Sequence, residues 1–222
     1  MADQKQTERY WAEQAAFKLG QRWHLEDRLQ PDFLVTGPGG QFGLEVTECH
    51  RGPITKQGSQ LRRQEQANHE WLALIRIMVE RETGLNLHLR YYGIATDRAR
   101  AEIVAAIFGA VRSAGGVLKV DHRFEDGRVW AFETHAASWN FASDWGCDFS
   151  TDGAEVQRAI DAKVKKLAAY RQACRDVRLL VMAFRMYGSG KIELTDNFNP
   201  NLQGFNALYF FSYPSSVRIF SR

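Results

Sequence analysis

Polar and apolar positions along this chain mark its elements before any composition is counted. Residues 7 to 21, TERYWAEQAAFKLGQ, are rich in Ala and Glu and predict a helix with Thr7 as its N-cap. A short strand is expected around Trp23 to Leu25, then a hairpin over 31 to 48, PDFLVTGPGGQFGLEVTE, turning at Gly37-Pro38-Gly39-Gly40. Apolar positions at helical spacing (Trp71, Leu72, Ile75, Val79) predict a helix over 58 to 83 that Gly84 ends. Residues 85 to 94 alternate like a strand, and 97 to 114 read as a helix closed by Gly115-Gly116. VLKVDHRF and VWAFETHA suggest a second hairpin over Asp126-Gly127. A long helix over 153 to 176 leads into RLLVMAFRMY, whose near-continuous apolar run suits a central strand covered on both faces. The aromatic-rich tail from Asn197 to Phe220 is expected to pack back on the domain. The class is therefore mixed α/β, without Rossmann-type alternation.

The hairpin carries the chemistry. With residues 37 to 40 as the loop, Thr36 pairs with Gln41, Val35 with Phe42, Leu34 with Gly43, and Asp32 comes opposite Glu45. Phe33, Val35, Leu44 and Val46 then fill one face, and Asp32, Glu45 and Thr47 share the other. Directly opposed side chains have Cβ atoms roughly 5 Å apart. Two carboxylates that close repel, so either one pKa rises or a cation sits between them. Mg²⁺ is typically held by one or two carboxylates with water and substrate phosphate. The glycines of the turn are no phosphate loop, because neither GxxxxGK[ST] nor GxGxxG leads into a helix.

Composition narrows the classes. The chain has 222 residues, 45% hydrophobic and 25% charged, with a net charge of +3. That length suits one domain, or a core with an elaborate insertion. No apolar run approaches the roughly 18 to 20 residues of a membrane span, and the polar N-terminus is not a signal peptide. Cys49, Cys147 and Cys174 form no CxxC pair, which argues against a zinc or disulfide framework and points to the cytoplasm. Asp144, Asp148 and Asp152 lack calcium-loop spacing, and Trp139 and Trp145 suit a core better than base stacking. His50, after the strand, could ligate a metal, but His122 and His135 lack zinc spacing. Between Arg158 and Arg178 seven Lys or Arg residues stand against Asp161 and Asp176. Arg62, Arg63, Arg171 and Arg175 are the candidates for gripping phosphates of a nucleic acid.

Pro31-Asp32, twelve intervening residues and then Glu45-Val46-Thr47, following a Glu-bearing helix, resemble the PD-(D/E)XK nuclease superfamily. The resemblance covers about 45 residues at the start and about 30 near the end. It implies a restriction-endonuclease-like core of helix, central mixed sheet and helix over 1–50 and 153–190. An α+β insertion would fill 51–150, and 191–222 would pack on the core. It implies Mg²⁺ or Mn²⁺ held by Asp32, Glu45 and a helix acid, either Glu8 or Glu13, and phosphodiester hydrolysis on DNA. The lysine of the pattern is replaced by Thr47. Some members carry that lysine on a later helix, and here IDAKVKKLAAY offers Lys163 and Lys166, three apart on one helical face, with Tyr170 beyond. Two other classes stand beside the nuclease: an inactive nuclease-fold module binding nucleic acid or protein, and an α/β protein holding a small molecule. A monomer and a homodimer are both open.

Overall fold

The computed structural model describes residues 2–55, 58–112, 114–141 and 149–221. The chain divides into two compact units: Met1–Gly52 with Cys147–Arg222, and Pro53–Gly146.

The first unit is built on a six-stranded mixed sheet. Helix α1 (Ala2–Lys18) precedes β1 (His24–Asp27), β2 (Phe33–Gly37) and β3 (Gly40–Glu48), which pair antiparallel in turn. After the second unit come β10 (Phe149–Thr151), α4 (Ala154–Val164), α5 (Leu167–Ala173) and β11 (Val177–Phe184). Then follow β12 (Ile192–Leu194), β13 (Ala207–Tyr213) and β14 (Ser216–Ser221). The order across the sheet is β1-β2-β3-β11-β13-β14, with β11 parallel to both neighbours and β14 antiparallel at the edge. Both faces are covered, so β11 is apolar along its length rather than alternating. On one face Ala12 and Ala15 of α1 pack with Phe33, Val35, Leu44, Val46, Leu180 and Phe211. On the other, Val156 and Ile160 of α4 and Leu167 and Tyr170 of α5 pack on Val177, Leu179, Val181 and Phe210. Each large apolar side chain so buried contributes roughly 1.5–3 kcal/mol relative to exposure.

Three expectations for this unit need correcting. Helix α1 begins at Ala2 rather than near Thr7, because Gln4, Lys5 and Gln6 are good helix formers and continue it toward the N-terminus. It stops at Lys18, ahead of Gly20 in a left-handed conformation. The helix expected over 153 to 176 is two helices, interrupted at Lys165 and Lys166. The aromatic tail does not merely lie on the core: β13 and β14 extend the central sheet.

The second unit carries a short β4 (Ile54–Thr55) and β5 (Gly58–Ser59) pair and then α2 (Gln60–Thr83), β6 (Leu87–Gly93) and α3 (Asp97–Phe108). Strands β7 (Lys119–Phe124), β8 (Gly127–Glu133) and β9 (Ser138–Phe141) complete it. Ser59 caps α2, its hydroxyl accepting from Arg62 N, and Gly84 at φ 67° ends it. Thr96 caps α3, which ends at Gly109, short of the expected Gly115-Gly116. The sheet order is β7-β8-β6-β9. Leu72, Ile75 and Val79 of α2 and Ala99, Ile103 and Ile107 of α3 bury one face of it, against Leu87, Leu89, Tyr91, Val129 and Ala131. The intervening residues of β6 and β8 point the opposite way. Among the described residues no helix is long and apolar enough to cross a membrane.

Candidate active site

The hairpin register is the expected one: Leu34 pairs with Gly43, Val35 with Phe42 and Thr36 with Gln41. Leu44 and Val46 therefore point to the α1 face, and Glu45 between them points to the α4/α5 face beside Leu179 of β11. Glu45 is 4% exposed, a depth at which an unpartnered carboxylate is costly. The partner comes from the last turn of α4, where Lys163 Nζ donates to Glu45 Oε1 at 2.6 Å.

Asp32 lies one residue before β2 and is fastened at several points. Its Oδ2 accepts from Val46 N at 2.8 Å, its own N–H donates to Glu45 Oε2 at 3.3 Å, and its carbonyl accepts from Arg28 N. The Lys5 ammonium donates to that same carbonyl and stands 3.7 Å from Asp32 Oδ1. Gly43 makes this approach possible, since a Cβ there would meet Pro31 Cγ at 2.7 Å. Burial first, then the charges of Glu45 and Glu8, push the Asp32 carboxyl up to about 6, against the lowering pull of Val46 N–H and Lys5.

Of the two candidate acids on α1, Glu8 is the one whose charge acts on Asp32. Glu8 lines a cavity of about 310 Å³ with Thr7, Trp11, Thr47, Glu48 and Lys163, and also a neighbouring groove of about 550 Å³ with Lys5, Arg28, Leu29 and Asp32. Glu13, the alternative helix acid, is more than half exposed, with Arg9 3.9 Å away, and lines neither cavity.

Tyr170 of α5 is buried, and its hydroxyl makes no hydrogen bond of good geometry. Burial, followed by the nearby Glu45 carboxylate, drives its phenol pKa far up, so it keeps its proton.

Other candidates lie elsewhere. Lys166 is exposed where α4 gives way to α5, because the interruption of the helix turns it off the face that Lys163 and Tyr170 present. Arg171 donates to Gly204 O at 2.6 Å and clamps a loop, and Arg175 is exposed before β11. Arg62 and Arg63 stand on the first turn of α2 in the other unit, with Arg63 donating to Thr55 Oγ1. His50 Nε2 lies 3.1 Å from Glu48. Cys49 is buried, its thiol pKa driven up by that burial, and Trp139 is buried in the second unit. Asp144, Trp145, Cys147 and Asp148 lie outside the described residues.

Sequence reasoning missed Lys5. A helix periodicity argument starting at Thr7 left it outside the helix, and its pairing spans 27 residues.

Among the described residues no three His, Cys, Asp or Glu side chains converge into a ready-made metal cage. The donor set still fits a hard divalent ion. Two carboxylates, one with its pKa raised by burial and then by its acid neighbour, match the one-or-two-carboxylate mode by which Mg²⁺ is usually bound. No family model, no curated protein and no solved structure matches the chain.

Proposed function

We propose that this chain is a Mg²⁺- or Mn²⁺-dependent phosphodiesterase, a nuclease acting on DNA in the cytoplasm, on a restriction-endonuclease-like core of the PD-(D/E)XK kind. The observation that carries this reading is the meeting of Lys163 Nζ with Glu45 Oε1 beside Asp32. Thr47 leaves the strand without the lysine that such a site uses, and α4 delivers one to the same carboxylate. Asp32 and Glu45 would hold the ion, with Glu8 on the facing helix. Bound there, the ion would polarise a phosphoryl oxygen and lower the pKa of a water. The chain's own groups do the rest. Lys163 places a positive charge where negative charge develops on the phosphorus oxygens and can orient the attacking water. Val46 N–H fixes Asp32 Oδ2, and Oδ1, 3.7 Å from Lys5, would be the oxygen offered to the ion.

A second reading is an inactive module of the same fold that binds nucleic acid or protein. One observation favours it: Lys5 and Lys163 already stand against both acids. Incubating the protein with supercoiled, linear duplex and single-stranded DNA, in Mg²⁺ or Mn²⁺ and in chelator, separates the two. The nuclease reading expects cleavage in metal only, abolished by Asp32→Asn. Intact DNA in every condition would leave the binding module.

A further inference from the structure

We propose that the open face of the four-stranded sheet in the Pro53–Gly146 unit binds single-stranded nucleic acid, with bases stacking on Tyr92 and Trp130 and phosphates meeting Arg90, Arg123 and Arg128.

Helices α2 and α3 occupy only one face of this sheet, and strand alternation sends the other set of side chains outward. Those side chains are unusual for a wet surface. Trp130 is 38% exposed and Tyr92 48% exposed. The rings of His88, Phe132 and Trp130 form a mutually contacting cluster, with centroids 5.1 to 5.9 Å apart. His88 has its pKa lowered by burial and by Arg90, so it contributes a neutral ring. Arg90 and Arg128 join Tyr92 and Trp130 around a depression of about 360 Å³.

The charge is one-sided. Arg123 and Arg128 are direct partners in the β7/β8 register, and like charges placed opposite each other are unfavourable in a sheet. Asp121, the acid on that face of β7, pairs with Arg128 at 2.7 Å, so among the described strand residues three arginines, Arg90, Arg123 and Arg128, stand on this face against one acid. Flat rings between arginines suit a polyanion whose units carry π-faces. A duplex hides those faces in its own stack, so the rings select single strands. This inference rests on the second unit alone and is independent of cleavage.

The test is fluorescence anisotropy of the whole chain with labelled oligo(dT) and oligo(U) of about 20 nucleotides, and with a duplex of the same length. Chelator is present throughout, so cleavage is silent and a failed nuclease reading does not touch the result. Binding to a single strand should exceed binding to the duplex and fall with added salt. Trp130→Ala and Tyr92→Ala should each weaken it roughly tenfold, and Trp130→Phe should retain most of it. Unchanged melting temperatures for these exposed substitutions confirm that folding is intact. Equal affinity of wild type and both alanine variants would overturn the proposal, as would equal or stronger binding of the duplex. A dimer that Trp130→Ala dissociates, with no oligonucleotide bound, would overturn it in favour of an interface between copies of the chain.

Discussion

Lys163 Nζ stands 2.6 Å from Glu45 Oε1, although 118 residues separate them in sequence. Glu45 is pointed inward by strand alternation, and the cation delivered by the facing helix, with the Asp32 N–H on its other oxygen, makes that burial tolerable. Lys163→Met should therefore lower stability by about 2 kcal/mol, within the range for a buried group left without its partner. It should also abolish cleavage. Lys166→Met, at an exposed position, should change stability by no more than about 0.5 kcal/mol. Urea unfolding of the two variants side by side checks both numbers.

Asp32 makes stability depend on pH in a direction opposite to that of an ordinary ion-paired acid. Its carboxyl is raised from 3.8 to about 6, so between these values the folded chain holds a proton that the unfolded chain has released. Stability attributable to Asp32 is thus greatest in acid, falls as pH rises from about 4 through 6, and levels off above. Asp32→Asn keeps the shape and discards the charge. It should stabilise the protein at neutral pH by on the order of 2 kcal/mol and flatten that fall. Thermal melts of both proteins across this window measure it.

Gly43 sets how closely the Pro31–Asp32 segment approaches β3. Gly43→Ala would drive a methyl group into Pro31, displacing the segment that carries Asp32. A cost of about 1–3 kcal/mol and loss of cleavage are expected. Gly39→Ala, with nothing within 4 Å of the added carbon, should have little effect on either. Melting temperatures and cleavage rates of the pair make the comparison.

What the sequence reveals about this fold follows from where periodicity is local. The β2/β3 register was legible because a Gly/Pro turn and strict alternation act within a few residues of each other. Strands β13 and β14 were not, because ALYFFSY is buried on both faces and shows no alternation to separate a strand from a packed coil. The break between α4 and α5 was hidden because Lys165 and Lys166 are good helix formers, so tertiary packing rather than propensity interrupts the helix. Asp32 and Glu45 could be nominated by residue type and spacing, and Lys163, alongside Lys166, by the resemblance to the nuclease superfamily. Lys5 could not, since its role appears only once α1 lies along the hairpin. The aromatic and basic sheet face was invisible for a related reason. Tyr92 and Trp130 come from different strands and line the same depression only through the β6/β8 pairing.

The central claim is that the hairpin acids hold a divalent cation, and a calorimetric titration of Mn²⁺ tests it most directly. The wild type should bind the ion, and the Asp32→Ala/Glu45→Ala double variant should not. Absence of binding in the wild type, or binding that survives in the double variant, would contradict the account.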